Sequence, residues 1–171
     1  MQNHFELFQL PEAFAIDMTT LNQAFHEMQG RVHPDKFATA SDQEKRVAMQ
    51  WATRVNEAYV TLKSPLKRAS YLCELHGVDL ETESNTSMPP EFLMQQMEWR
   101  EALDDARAEK SLAALESLDA ELRALRHEAL TQIAHQFDLH DYTAAALAIR
   151  KLMFVEKFAA DVGHAFDALA E

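Results

Sequence analysis

Pro34 is the feature that most constrains the fold of this 171-residue chain, because it separates two long helical patterns. Before it, apolar residues at helical spacing, behind Asp17 in the position of an N-cap, predict a helix over residues 18–32. After it, Ser41 opens a capping-box pattern, and a second apolar stripe predicts a helix to about residue 63. The two stripes are Leu21, Phe25, Met28 and Val32, and Val47, Trp51, Val55, Ala58 and Leu62. Two such helices bury their stripes most simply as an antiparallel hairpin.

The end of this hairpin carries the tripeptide His33-Pro34-Asp35. Pro34 has no N–H, its ring clashes with a continuing helix, and it excludes His33 from the α region, so we expect these three residues to form a stiff, exposed loop. Two titratable side chains then lie where a partner can reach them. Taken alone the tripeptide is weak evidence for function, because turns favour Pro and Asp.

The other patterns are also helical, without a strand signal or a repeat. The apolar opening at residues 5–10 is expected to dock on the hairpin, and Ser64-Pro65 is typical of an N-cap followed by proline at the first helical position, in a helix that Gly77 closes. Three further patterns, at about 90–109, 112–137 and 141–169, predict an antiparallel three-helix bundle. We predict an all-α fold with one domain at 1–77, a linker at 78–90 and a second domain at 91–171.

The composition and charge exclude several classes of protein. An apolar content of 47% with 3 Gly and 5 Pro is typical of long helices with short connections. The formal charge of −12 argues against general nucleic-acid binding, which depends on neutralising phosphates. Residues 1–77 carry 8 Lys and Arg against 9 Asp and Glu, whereas residues 78–171 carry 8 against 19, so the two halves are expected to face different partners.

The sequence also indicates the cellular compartment and the state of the single cysteine. The sequence shows neither a basic, apolar leader nor a run of about eighteen apolar residues, so an intracellular, cytoplasmic protein is expected. Cys73 is the single cysteine and falls in an apolar helical pattern. We predict a core residue there rather than a nucleophile.

The arrangement around the tripeptide resembles the J-domain of J-domain co-chaperones. The resemblance extends along the whole chain to the HscB family, the specialised J-proteins of iron–sulfur cluster assembly. The stretches that carry it are His33–Phe37, Leu66–Leu72 running into Leu75-His76-Gly77, and Phe92–Met94 followed by Glu98–Glu101. It implies a J-domain and a C-terminal three-helix, scaffold-binding domain in an L-shaped arrangement, with no cofactor and no metal.

This resemblance implies a co-chaperone that is not itself an enzyme. It implies binding to an HscA-type, DnaK-like chaperone whose ATPase is stimulated, and delivery of an IscU-type iron–sulfur scaffold protein, which promotes cluster transfer and protein maturation. His33, Pro34 and Asp35 would be the essential chaperone contact. Asp35 can accept a charge-assisted bond from a partner arginine, and His33 either orients the loop or bonds the partner.

The basic charge expected from this family is sparse here. The family's second helix usually presents a basic face, but between Asp17 and His33 the only Lys or Arg is Arg31, with His26 as a weak supplement and Glu27 opposing it. We therefore expect weaker electrostatic steering of the chaperone. The positive charge at this end of the hairpin is expected from Arg31, Lys36, Lys45 and Arg46.

A second surface is indicated on the helix after Pro90, where apolar and acidic residues occupy neighbouring strips. By itself this pattern is typical of core beside solvated charge. The resemblance instead implies a binding surface for the IscU-type scaffold. Its residues are Leu93, Met94, Met97, Glu98, Arg100, Glu101 and Asp105, with Phe154 from the last helix. Phe154 is one helical position away from the core stripe that contains Leu152, which permits exposure.

Three other interpretations compete with this one. An enzyme would use His33 and Asp35 as acid and base or would bind a metal ion through its histidines. The sequence contains no C-x-x-C, H-E-x-x-H or Gly-rich phosphate loop, and His127 and His135 are too far apart to bind one metal ion from a single helical turn. A general J-protein would deliver unrelated or unfolded clients to a DnaK-type chaperone. A purely structural helical protein would tolerate His33→Gln without biochemical effect.

Overall fold

The computed structural model describes residues 2–80 and 88–171. Its helices are α1 (His4–Leu7), α2 (Met18–Val32), α3 (Asp42–Lys63), α4 (Pro65–Leu75), α5 (Pro90–Glu109), α6 (Leu112–Asp138) and α7 (Tyr142–Ala170), and a 3₁₀ turn forms at Pro34–Phe37. These residues contain no strand, so the all-α prediction is confirmed. None of the helices in these two ranges combines the length and the apolar character needed to span a bilayer.

The chain divides into two compact units, residues 1–72 and residues 73–171. The division falls inside α4. The predicted domain limits and the L-shaped arrangement stay predictions, and residues 81–87 of the predicted linker lie outside the described part of the chain.

Side-chain caps fix where the two hairpin helices begin. Asp17 accepts a hydrogen bond from the Thr19 N–H at 2.9 Å, and Ser41 accepts one from the Glu44 N–H at 3.2 Å. Each cap satisfies a backbone donor that would otherwise have no partner, typically worth about 1 kcal/mol. Both predicted N-caps are confirmed.

The hairpin is held together by its inner faces and by one aromatic pair. Leu21 of α2 and Val55 of α3 are fully buried. Phe25 and Tyr59 stack with their ring centroids 3.9 Å apart, and the Tyr59 hydroxyl donates to Asn22 Oδ1 at 2.7 Å. The polar end of Tyr59 thus has a partner although its ring is partly buried.

The apolar stripe of α3 is buried only in part, which corrects the sequence prediction. Val55, Ala58 and Leu62 are buried, but Val47 is 47% exposed and Trp51 is 38% exposed. Helix α1 packs against α3, and Arg54 of α3 donates to the Gln2 carbonyl at 2.6 Å, which places α1 near the half of α3 that holds these buried residues. Helix α3 also contacts α2 and the 3₁₀ turn, yet Val47 and Trp51 in its first half stay partly exposed, so a stripe with the correct period is not fully covered.

Two further contacts stabilise the N-terminal unit. Phe5 of α1 is fully buried, which confirms that the apolar opening docks on the fold. Arg68 of α4 is buried and donates to the backbone oxygens of Phe14 and Leu62, each at 2.6 Å, while its guanidinium lies 5.1 Å from the centre of the Phe14 ring. A buried charge with these partners fixes the segment before α2 against α4.

The C-terminal unit contains the predicted three-helix bundle. Phe92 contacts Phe154 and Trp99 contacts Phe158, so residues advance together along α5 and α7 and these two helices run parallel. The Trp99 indole donates to Glu121 of α6 at 3.3 Å, and Arg126 of α6 pairs with Glu156 of α7 at 2.6 Å. These contacts place α6 antiparallel to both neighbours.

Cys73, near the end of α4, is buried, as predicted for a core residue. Burial raises the pKa of its thiol to about 11, and Glu74 adds to the rise while Arg150 opposes it. The thiol is therefore protonated at neutral pH and is a poor nucleophile. Gly77 follows α4 with φ of +80°, a left-handed conformation that glycine adopts without the steric cost of a Cβ.

Candidate functional site

The first candidate surface is the end of the hairpin, here called the tip and defined as Arg31, His33–Lys36, Lys45 and Arg46. His33 has an extended backbone, with φ of −60° and ψ of 134°, as expected for a residue before proline. Its Nδ1 accepts a hydrogen bond from the Asp35 N–H at 3.2 Å. The Asp35 side chain is 93% exposed.

The centre of the tip is a 3₁₀ turn at Pro34–Phe37, where the sequence predicts a stiff, exposed loop. The Lys36 N–H donates to the His33 carbonyl at 3.0 Å, and Pro34 occupies the first position of the turn. A proline fits there because its fixed φ matches a helical turn and its missing N–H needs no partner. Only His33 is excluded from the helical region, so the chain turns helical again directly after it.

The His33 ring stabilises the turn through Nδ1, and about half of its side chain is exposed to solvent. Because Nδ1 accepts a bond, the proton of a neutral ring is on Nε2, which can donate to another molecule. Nδ1 also lies 3.5 Å from Asp35 Oδ2. The fully solvated carboxylate lacks the water-excluding surroundings of an acid–base site, so this geometry is suited to contact with a partner.

The positive charge of the tip is smaller than its composition suggests. Arg31 Nη2 and Glu27 Oε1 form an ion pair of 2.5 Å one helical turn apart, with both side chains exposed. Lys36, Lys45 and Arg46 are exposed and make no ion pair within residues 2–80 and 88–171. Arg31 is thus offset by Glu27, and the exposed acids Asp42 and Glu44 lie beside Lys45 and Arg46 in the first turn of α3.

The second candidate surface lies on α5 and is here called the α5 face, defined as Leu93, Met94, Met97, Glu98, Arg100, Glu101 and Asp105. Leu93 is 47% exposed, Met94 is 62% exposed and Met97 is 67% exposed. The opposite side of the same helix supplies the core, since Phe92, Trp99, Leu103 and Ala106 are buried. Helix α5 therefore has apolar residues on both sides, and only one side is covered.

Phe154 lies beside the α5 face and is only half-buried. Its ring packs edge-on against Phe92, with centroids 6.2 Å apart, so the buried part of the ring belongs to the core. Phe154 and Arg100 line the same groove between α5 and α7. The structure thus brings together two predicted residues from distant parts of the sequence.

The groove also contains residues that the sequence did not single out. Gln96, Lys157 and Asp161 line it together with the aromatic side chains of Trp99 and Phe158. In the sequence, Lys157 and Asp161 lie three and seven positions after Phe154, which is the spacing of one helical face. That signal was present, but which face of α7 turns toward α5 depends on the packing.

The described ranges hold no group of three or more His, Cys, Asp or Glu side chains arranged to bind a metal ion. Both candidate surfaces are exposed, and their chemistry differs: the tip is polar with charges of both signs, whereas the α5 face is apolar and mainly acidic. This arrangement is suited to two protein partners.

Comparison with known proteins gives the family. The chain is 52% identical over 167 residues to the co-chaperone protein HscB homolog of Burkholderia mallei strain SAVP1, covering 98% of this chain and 95% of that protein. The chain belongs to the HscB co-chaperone family. A family model described as the HSCB C-terminal oligomerisation domain matches residues 88–163.

Solved structures of HscB proteins have the same fold. The chaperone HscB from Vibrio cholerae matches with a TM-score of 0.88 at 41% identity, over 98% of this chain and 99% of that chain. The human co-chaperone protein HscB matches with a TM-score of 0.91 at 28% identity, over 95% of this chain and 81% of that chain. The predicted family is confirmed.

HscB membership makes the chain a J-protein co-chaperone of iron–sulfur cluster assembly. HscB homologues act with Hsp70-type chaperones, and they are named as co-chaperones, a class of non-enzymes. The match to the HscB C-terminal model contains the whole α5 face and Phe154, whereas the tip precedes it. The two candidate surfaces therefore lie in different parts of the chain.

Proposed function

We propose that this co-chaperone binds an IscU-type iron–sulfur scaffold protein, delivers it to an HscA-type, DnaK-like chaperone and stimulates the ATPase of that chaperone. The α5 face and Phe154 capture the scaffold, and the tip engages the chaperone. Coupled ATP hydrolysis then promotes transfer of the cluster, which is cargo, and maturation of the recipient protein. The process takes place in the cytoplasm.

The observation that carries the proposal is the uncovered apolar side of α5. Leu93, Met94 and Met97 are exposed on a helix whose opposite side already provides the core of the bundle. Exposed large apolar side chains grouped on a rigid element are typical of a protein-binding site. Methionine adapts its shape to a partner surface, and the neighbouring Glu98 and Glu101 select a basic rim.

The tip supports the second part of the proposal. The His33 bond to the Asp35 backbone and the proline ring fix the turn before a partner arrives, which lowers the entropy lost on binding. The exposed Asp35 carboxylate can accept two parallel hydrogen bonds from one arginine. Lys36, Lys45 and Arg46 complement an acidic chaperone surface.

The test is steady-state ATPase of the HscA-type chaperone with this protein alone, with the scaffold alone and with both. Asp35→Asn keeps the shape of the side chain and removes its charge, and we expect stimulation to fall more than about tenfold while scaffold affinity stays unchanged. Asp167→Asn on α7 makes the same charge change at an exposed position remote in sequence from the tip, and serves as the control.

The complementary variant carries Leu93→Ala, Met97→Ala and Phe154→Ala. We expect scaffold affinity to fall about a hundredfold, because central apolar contacts dominate binding energy, while stimulation in the absence of scaffold is retained. Stimulation without any scaffold binding by the wild-type protein would instead identify a general J-protein. Absence of both activities would refute the proposal.

A further inference from the structure

The groove between α5 and α7 shares Arg100 with the α5 face, and the rest of its lining differs from that face. It has a volume of about 130 Å³ and is lined by Gln96, Trp99, Arg100, Phe154, Lys157, Phe158 and Asp161. The α5 residues are spaced i, i+3 and i+4, and the α7 residues are spaced i, i+3, i+4 and i+7, so each helix contributes one continuous strip. The groove is therefore a direct product of how these two parallel helices pack.

Aromatic contacts fix the shape of the groove. The rings of Trp99 and Phe158 stack with their centroids 5.7 Å apart, and Phe92 contacts both Trp99 and Phe154 at 6.1 and 6.2 Å. Trp99 and Phe158 are buried, so these rings are held by the core as well as by each other. The floor is rigid and apolar.

The polar groups of the groove favour an anion. Arg100 and Lys157 are exposed cations, and Asp161 is the single acid among the lining residues. Gln96 is half-buried, and its Nε2 is shielded from solvent with no hydrogen-bond partner in the described part of the chain. Rotation of its terminal amide presents this donor to a ligand at little cost. Two cations and an unpaired donor oppose one carboxylate.

The outer strip of α5 has the opposite sign. Glu98, Glu101 and Asp105 are all exposed there, and the exposed side chains of Leu93 and Met97 occupy positions between this strip and the side of Arg100. An apolar ridge with acids on one flank and cations on the other is complementary to a partner in one orientation only, since the reversed orientation places like charges together.

We infer that this groove receives a carboxylate side chain of the scaffold, which bonds to Gln96 and pairs with Arg100 and Lys157. The inference rests on the proposed function, because it assigns the groove to the same interface as the α5 face. The aliphatic part of a Glu or Asp lies against the Phe154 edge, and its carboxylate satisfies the Gln96 donor that is unpaired in the free protein. The groove thereby fixes the direction in which the scaffold docks.

Gln96→Met is the first test, since it keeps the length of the side chain and its helix propensity but removes the donor. We expect the thermal midpoint of the free protein to stay the same or to rise, because an unsatisfied buried N–H is removed. Affinity for the purified IscU-type scaffold is expected to fall about fivefold in titration calorimetry. A merely structural glutamine predicts unchanged scaffold affinity.

Lys157→Glu is the second test and is expected to weaken scaffold binding about tenfold, with the difference from wild type shrinking as salt is raised. Lys110→Glu, in the turn between α5 and α6, makes the same change of charge about 15 Å along the helix from Arg100 and is expected to alter binding less than twofold. A scaffold variant with one surface Asp or Glu changed to Lys should restore binding to Lys157→Glu.

The outcomes separate this inference from the function on which it rests. If the wild-type protein does not bind the scaffold, the proposed function fails. If the wild-type protein binds, and the Leu93, Met97 and Phe154 variant does not, but Gln96→Met and Lys157→Glu bind as wild type does, the proposed function stands and the groove is not part of the interface. Equal losses for Lys157→Glu and Lys110→Glu also overturn the inference, because they reveal an effect of net charge alone.

Discussion

The tip and the α5 face are both exposed, yet they are built on opposite principles. The tip is centred on the short 3₁₀ turn at Pro34–Phe37, which is fixed by local bonds, chiefly the one that His33 Nδ1 accepts from the Asp35 N–H. The α5 face combines the long, flexible apolar side chains of Leu93, Met94 and Met97 with charged neighbours, on a helix of 20 residues that the bundle core holds in place. At the tip, a short turn holds the Asp35 carboxylate in a fixed position. On α5, a rigid helix carries apolar side chains that can change their conformation.

This difference separates what each surface offers a partner. A preorganised polar turn provides direction, because a carboxylate bonds well only with a donor in the correct geometry. An apolar helix face provides affinity through desolvation, which is roughly proportional to buried area and depends little on direction. The charged groove on one side of the Leu93 and Met97 ridge and the acidic strip on the other supply the orientation that the ridge itself lacks.

The largest expected effect tests whether the two sides of α5 are independent. Leu103→Ala removes a buried leucine and should lower the free energy of unfolding by about 2–5 kcal/mol, as measured by urea denaturation. Leu93→Ala makes the same chemical change on the exposed side and should alter it by less than about 1 kcal/mol. Equal destabilisation of both variants would contradict the assignment of one buried and one exposed side to α5, since Leu93 would then be covered in the free protein.

The same pair makes opposite predictions for binding. Leu93→Ala should weaken scaffold affinity about tenfold, while the folded fraction of Leu103→Ala should bind almost as well as wild type. Surface plasmon resonance at a temperature where both variants remain folded provides the measurement. A weaker loss for Leu93→Ala than for Leu103→Ala would remove the α5 face from the interface.

A smaller effect is expected at the tip, where Glu27 offsets Arg31. Glu27→Gln breaks this ion pair and frees a cation, so the concentration of this protein needed for half-maximal chaperone stimulation should fall about twofold, more at low salt. Glu6→Gln, at an exposed position of α1 in the same unit, changes the net charge equally and controls for it. Identical behaviour of the two variants would show that Arg31 does not contribute.

The smallest effect concerns the stability of the unit that carries the tip. Burial lowers the pKa of His4 below its ordinary value of 6.5, with Glu57 opposing the change and Arg54 adding to it. As the pH falls below 6.5, the unfolded chain takes up a proton that the folded chain does not, so stability is lost toward acid pH. His4→Phe keeps an aromatic ring against Tyr71 and should reduce the slope of stability against pH, as followed by denaturation at several pH values. An unchanged slope would contradict this role.

Most of the architecture could be predicted from local sequence signals. Proline, capping residues and 3.6-residue periodicity act within a few positions of the chain, and they placed α2, α3 and the bundle helices close to their observed limits. The tip was predicted as an exposed corner, but its 3₁₀ turn depends on bonds within Pro34–Phe37 that no periodicity reveals. The exposure of Val47 and Trp51 was missed because a stripe predicts a face but not what covers it.

The amino-acid sequence alone specifies the helices, the position of Pro34 between two of them, and the strips of α5, because these features depend on hydrogen bonding and steric effects within a few residues. Packing between helices, in contrast, is what turns Trp99 and Leu103 toward the core and leaves Leu93 and Met97 outside. Both strips are apolar, and burial depends on which side meets α6 and α7. The groove that joins Gln96 to Lys157 likewise exists only because distant segments pack together.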